Sequence, residues 1–180
     1  MRQKRVQLAA AVAVVAIASV VATTALAGDG RNVRATLIGF EEVPAVSTVA
    51  SGKFTAKIDR SARLIEYKLS FENLEANSLF AHIHLGQRTA NGGVSVFLCG
   101  GGDKPPCPPT SGTVEGTIDP ADVIGPANQG IAPGEFDELV RAIRAGVTYA
   151  NVHSSKFPGG EIRGQIDGGG GDDDDDRDDD

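Results

Sequence analysis

Apolar and polar residues alternate with period two through most of the middle of the chain. Phe54, Ala56 and Ile58 share one face of residues 52–59, and Ile65, Tyr67, Leu69 and Phe71 share one face of residues 64–74. Side chains two apart on a strand point the same way, so each run predicts a strand with one buried face. Read along its length, the pattern predicts eight strands: 33–40, 52–59, 64–74, 79–85, 94–99, 113–119, 148–154 and 162–167. Turn residues separate them, notably Arg60-Ser61-Ala62-Arg63, Asn91-Gly92-Gly93 and Pro158-Gly159-Gly160. Short strands at this spacing predict an all-β fold, an antiparallel β-sandwich of about eight strands.

One stretch changes period. Between Pro133 and Ala145 the apolar residues Phe136, Leu139, Val140 and Ile143 recur at helical spacing, with Gly146 just beyond. This predicts one short amphipathic helix across an end of the sandwich, its apolar stripe used for packing.

The two ends of the chain have a different composition. Arg2, Lys4 and Arg5 precede an apolar run over residues 8–21, and Ala25-Leu26-Ala27 supplies a small-x-small site. That order predicts a secretory signal peptide, 1–27, cut after Ala27. An uncleaved anchor is the alternative, because residues 8–26 are almost long enough to span a bilayer. Thr23 and Thr24 and the clean site that follows favour cleavage, and hence a secreted, extracellular protein. Domain 28–167 then leads into a Gly linker and poly-Asp tail, 168–180, expected to be disordered. The net charge is −7, and the eight Asp and one Arg of residues 172–180 account for as much. A mildly acidic domain lacks the basic patch that nucleic acid or anionic lipid requires, so neither is an expected partner. Cys99 and Cys107 flank a Gly/Pro-rich loop. In an exported protein such a pair predicts a disulfide, and the spacing is wrong for a redox Cys-x-x-Cys turn.

Candidate chemistry rests on three histidines, His82, His84 and His153, the only ones in the chain. In Ala81-His82-Ile83-His84 the two imidazoles project from one face while Ala81 and Ile83 point to the core. By the same parity Tyr149, Asn151 and His153 share a face opposite Ala150 and Val152. If the two strands are neighbours, the three rings converge on a set suited to Cu²⁺ or Zn²⁺ with an open position. Otherwise they hydrogen-bond to backbone or carboxylates at the rim. Glu161, Arg163 and Gln165 are expected on one face of the last strand, beside His153. Glu161 could orient a histidine from behind, with Arg163 next to it, although a cross-strand ion pair is the commoner use of such residues. No Gly-x-Ser-x-Gly elbow, phosphate-cradling loop or His-Glu-x-x-His motif is present. Ser154 and Ser155 form no dyad with His153, so no catalytic residue is assigned.

Several stretches together resemble the CHRD (chordin-type) domain family. They are Ala35 to Val46, including Gly39-Phe40-Glu41-Glu42-Val43-Pro44, then Ala50-Ser51-Gly52, Ala81-His82-Ile83-His84-Leu85-Gly86 and Asn91-Gly92. Tyr149-Ala150-Asn151-Val152-His153-Ser154 and Pro158-Gly159-Gly160-Glu161-Ile162-Arg163-Gly164-Gln165-Ile166 complete the set. The resemblance spans almost all of 33–167 and is that of a single-domain, exported, bacterial-type member. CHRD domains occur in the extracellular protein chordin, which binds growth factors, and in exported bacterial proteins of unknown role. The expected sandwich is immunoglobulin-like or superoxide-dismutase-like, and the His-x-His strand is similar to the copper strand of Cu,Zn superoxide dismutase. That family uses further histidines and an aspartate for a second metal, so dismutation is not implied here.

Two functions are therefore expected. The first is a non-enzymatic binding or interaction module with an extracellular protein partner. The second is a Cu or Zn metalloprotein using His82, His84 and His153 for storage, redox or hydrolytic chemistry. The distance between the three imidazoles discriminates between them.

Overall fold

A computed structural model describes residues 31–168. The expectations for the signal peptide and for the poly-Asp tail fall outside the described residues. Eight strands form: β1 (Arg31–Ile38), β2 (Ser51–Asp59), β3 (Leu64–Glu72), β4 (Ser78–Leu85), β5 (Gly93–Cys99), β6 (Gly112–Ile118), β7 (Thr148–Ser154) and β8 (Ile162–Gln165). One helix, α1 (Phe136–Arg144), lies between β6 and β7. All strand pairs are antiparallel, in the order β5-β4-β7-β8-β1-β2-β3-β6.

The sheet curls until it is nearly a barrel. Its two halves meet at β8 and β1 through a single pair, Ile38 and Arg163, with an isolated bridge from Arg34 to Asp167. At the opposite side the buried Tyr67 hydroxyl of β3 donates to Leu98 O of β5 at 2.6 Å. Cys99 and Cys107 are disulfide-bonded just beyond β5.

Period-two burial runs through β1, β2 and β3, with Val33, Ala35, Leu37, Phe54, Ala56, Ile58, Ile65, Leu69 and Phe71 turned inward. Each large apolar side chain removed from water contributes about 1.5–3 kcal/mol. Phe136, Leu139, Val140 and Ile143 of α1 join the same core.

Several boundaries differ from the sequence expectation, most of them by one or two residues. β1 stops at Ile38 because Gly39 opens a 3₁₀ turn, Gly39–Glu41, whose backbone passes close to another loop. A Cβ at Gly39 would stand 2.4 Å from Val46 O, and Phe40 is left 70 % exposed. α1 begins at Phe136 rather than near Pro133, because Gly134 N is drawn away to Val123 O. β8 ends at Gln165, and beyond it only the isolated bridge from Asp167 to Arg34 continues the pairing. Glu161 lies just before β8, its N–H bonded to Val152 O of β7.

Alternation fails in β7, where all seven residues are buried, and in the second half of β4. Their inner face meets the core. Their other face carries the histidines and is covered by the loops around residues 39–44, 86–92 and 155–160.

Candidate metal centre

Strand pairing brings the three histidines together. β4 and β7 are neighbours, and their register sets Phe80 opposite His153, His82 opposite Asn151 and His84 opposite Tyr149. The face is therefore laid out in three rows, with His153 and His84 on either side of the His82–Asn151 row. Ligand atoms of His82, His84 and His153 all lie within 4.8 Å of one another. Nitrogens bound tetrahedrally to one ion at about 2.0–2.1 Å stand about 3.4 Å apart, so the widest pair would have to close by up to about 1.4 Å around an ion.

Hydrogen bonds fix which nitrogen faces the centre. His84 Nδ1 lies 3.0 Å from Gly92 O, and His153 Nδ1 lies 3.0 Å from Pro158 O. A carbonyl only accepts, so each Nδ1 carries the proton and each Nε2 presents a lone pair. His82 Nδ1 lies 3.3 Å from His153 Nε2, so it is the Nδ1 edge of the His82 ring that faces the other two histidines. Nε2 of His82 and Nε2 of His84 are buried with no hydrogen-bond partner. Glycine is required at the turn that supplies the Gly92 carbonyl, because a Cβ there would fall 1.7 Å from Leu85 O.

Electrostatics keep the rings neutral. Burial, reinforced by His153 and His84, lowers the His82 pKa to about 3. Burial lowers His84 to about 4 against the opposing bond to Gly92, and it lowers His153 against the bond to Pro158. Neutral imidazole is the form that ligates a metal. Phe80 and Phe97 border the cluster, each ring packing against His82 at 4.9 and 4.5 Å between centroids. The set is thus three neutral nitrogen donors beside an apolar rim, a chemistry that suits Cu²⁺ or Zn²⁺.

Arg163 builds the roof. It is 2 % exposed and fans its donors to Glu41 O at 2.6 Å, Arg88 O at 2.6 Å, Ala90 O at 3.2 Å and Asn91 Oδ1 at 3.1 Å. One guanidinium thereby holds two loops against the histidine face. It also stacks on the Tyr149 ring at 4.4 Å, and Tyr149 stacks on His84 at 4.8 Å, nearly parallel. Glu161, expected to orient a histidine, instead accepts from Thr48 Oγ1 at 3.0 Å and Glu75 N at 2.8 Å. Backbone carbonyls orient His84 and His153.

Two residues of this face were not singled out from the sequence as site residues. Asn151 is 3 % exposed with Oδ1 unpartnered, and Glu42 is 6 % exposed with Oε1 unpartnered. Both converge over Gly160: a Cβ there would lie 2.5 Å from Glu42 Oε1 and 2.8 Å from either amide atom of Asn151. Burial raises the Glu42 pKa to about 7, with Arg163 pulling the other way. The available signals were the Glu41-Glu42-Val43-Pro44 stretch and the parity of Asn151 with His153. Nothing in periodicity says that the loop folds back over the strand. A concavity of about 1130 Å³, lined by Arg31, Arg34 and Lys57 among others, contains none of these residues.

The sequence profile of the CHRD domain matches residues 33–166, a span that holds all three histidines, Glu42, Asn151 and Arg163. No curated protein and no solved structure matches the chain. With most of its length matched, the chain belongs to the CHRD domain family.

Proposed function

We propose that this protein is an exported, non-enzymatic binding module that holds one Cu²⁺ or Zn²⁺ ion through His82, His84 and His153. The observation that carries the reading is the convergence of three buried imidazoles, whose ligand atoms lie within 4.8 Å of one another, with His82 Nδ1 turned to His153 Nε2 and His84 Nε2 buried without a partner. Leaving a buried acceptor unpaired costs about 1–3 kcal/mol. A cation shared with His82 and His153 satisfies His84 Nε2. Export is supported by the signal-type N-terminus and by the Cys99–Cys107 disulfide, which persists in oxidising compartments. Among the described residues no helix is long and apolar enough to cross a membrane. The curled sheet reads as a sandwich of β5-β4-β7-β8 against β1-β2-β3-β6, because a single register pair joins the halves.

A second reading, contact with an extracellular protein, is favoured by Phe40 and Val49, apolar loop residues 70 % and 80 % exposed. It is compatible with a metal site. Calorimetric titration of the chain with Cu²⁺ and Zn²⁺, beside a His82→Ala/His84→Ala variant, tests the metal reading. Tight one-to-one binding abolished in the variant supports it. Binding equal in both proteins assigns the ion to the Asp tail and ends the metal reading.

A further inference from the structure

Three histidines leave a cation at least one open position, and the surroundings of that position are built from this chain. Asn151 stands opposite His82 across the β4–β7 ladder and shares the histidine face. Paired residues on neighbouring antiparallel strands have Cα atoms about 4.5–5.5 Å apart, so the Asn151 amide borders the His82 ring. Behind it the Glu42 carboxyl comes down from its loop to the same point above Gly160. The loop is held there by Arg163 to Glu41 O, by Asn91 Nδ2 to Val43 O at 2.9 Å and by the Arg88–Glu41 ion pair at 2.7 Å. Three buried polar atoms beside the centre have no partner: His84 Nε2, Asn151 Oδ1 and Glu42 Oε1. The first is a nitrogen for the ion. The other two are oxygens, which only accept unless the carboxyl is protonated, so what they lack is a donor.

We propose that Asn151 and Glu42 form the wall of the open coordination position and select a water molecule, not an anion, as the exchangeable ligand there. This rests on the three-histidine metal reading. A bound water donates two hydrogen bonds, and the wall offers two unpartnered acceptors. An anion brings no donor and meets the Glu42 carboxylate, a like charge in a site shielded from solvent. The charged groups that face Glu42 are Arg163 from β8 and, next to it in the loop, the Glu41–Arg88 pair. Arg163 has its donors committed to carbonyl and amide oxygens of the two loops. Glu42 and Asn151 are specificity-determining residues in this account and contribute no bond to the ion.

The test uses the full chain loaded with Co²⁺, whose visible absorption reports its ligands, titrated with azide at pH 8. Wild type is compared with Glu42→Gln, which keeps the shape of the side chain and removes its charge. Azide affinity at least tenfold higher in Glu42→Gln, at equal Co²⁺ affinity, supports the inference. Equal azide affinity in the two proteins overturns it while leaving the metal site standing. Failure of wild type to take up Co²⁺, Zn²⁺ or Cu²⁺ overturns the metal reading and this inference with it. Should thermal unfolding show Glu42→Gln to be misfolded, Asn151→Asp serves instead. A second carboxylate in the wall lowers azide affinity at least tenfold, and an unchanged affinity overturns the inference.

Discussion

At the scale of residues, the site is governed by which groups are forced to be neutral. The buried histidines have pKa values well below the ordinary 6.5, about 3 for His82 and about 4 for His84. The unfolded chain therefore binds protons that the folded chain refuses, and stability falls as pH drops from 6.5 toward 4. His82→Ala/His84→Ala should flatten this acid slope in thermal unfolding between pH 7 and pH 4. Glu42 works in the opposite direction. Its folded pKa of about 7 lies above the ordinary 4.5, so its stabilising contribution is complete below pH 4.5 and is lost as pH rises through 7. Glu42→Gln should match wild type near pH 4.5 and exceed it at pH 8 by on the order of 2 kcal/mol, read from denaturant midpoints. His-x-His and the parity of His153 were legible in the sequence because strand geometry makes side-chain direction a matter of counting. Glu42 was not, because its position depends on a loop.

At the scale of elements, Arg163 and Gly160 explain how loops become a roof. Arg163→Lys keeps the charge but cannot reach four acceptors in two loops with one ammonium group. A loss of about 2–4 kcal/mol is expected, since carbonyls of both loops lose their donor. Hydrogen exchange should localise the loosening to residues 39–44 and 86–92, and faster exchange spread evenly over β2 and β3 would contradict it. Gly160 has a φ of +132°, a conformation that glycine alone adopts without strain. Gly160→Ala adds to that strain a methyl group driven into Glu42 and Asn151, and should cost about 1–3 kcal/mol. Strand positions and the apolar stripe of α1 could be read from periodicity. The exact ends could not, because Gly39 and Gly134 are held by backbone of other loops, at Val46 and Val123, that no strand or helix period reveals.

At the scale of the whole molecule, two links draw the free sides of the curled sheet together. Tyr67 reaches from β3 to Leu98 of β5, and the disulfide closes the loop that follows. Tyr67→Phe should lower stability by about 1 kcal/mol, the net value of one hydrogen bond. Replacing Cys99 and Cys107 together by Ser should lower it by about 2–3 kcal/mol through loop-closure entropy. Neither change should alter metal affinity, because both lie apart from the histidine face. By itself the sequence determined the all-β class, the eight strands, the single helix, the disulfide pair and the shared direction of His82 and His84. Each of these follows from local geometry or from a pairing that few alternatives contest. Only the tertiary structure decided that β4 lies beside β7, that the histidine face is buried and not solvated, and that Glu42 and Arg163 belong to it. Strand order and loop coverage depend on contacts between residues far apart in the chain, as from Glu41 to Arg163 and from Arg34 to Asp167, and no period within one segment encodes them.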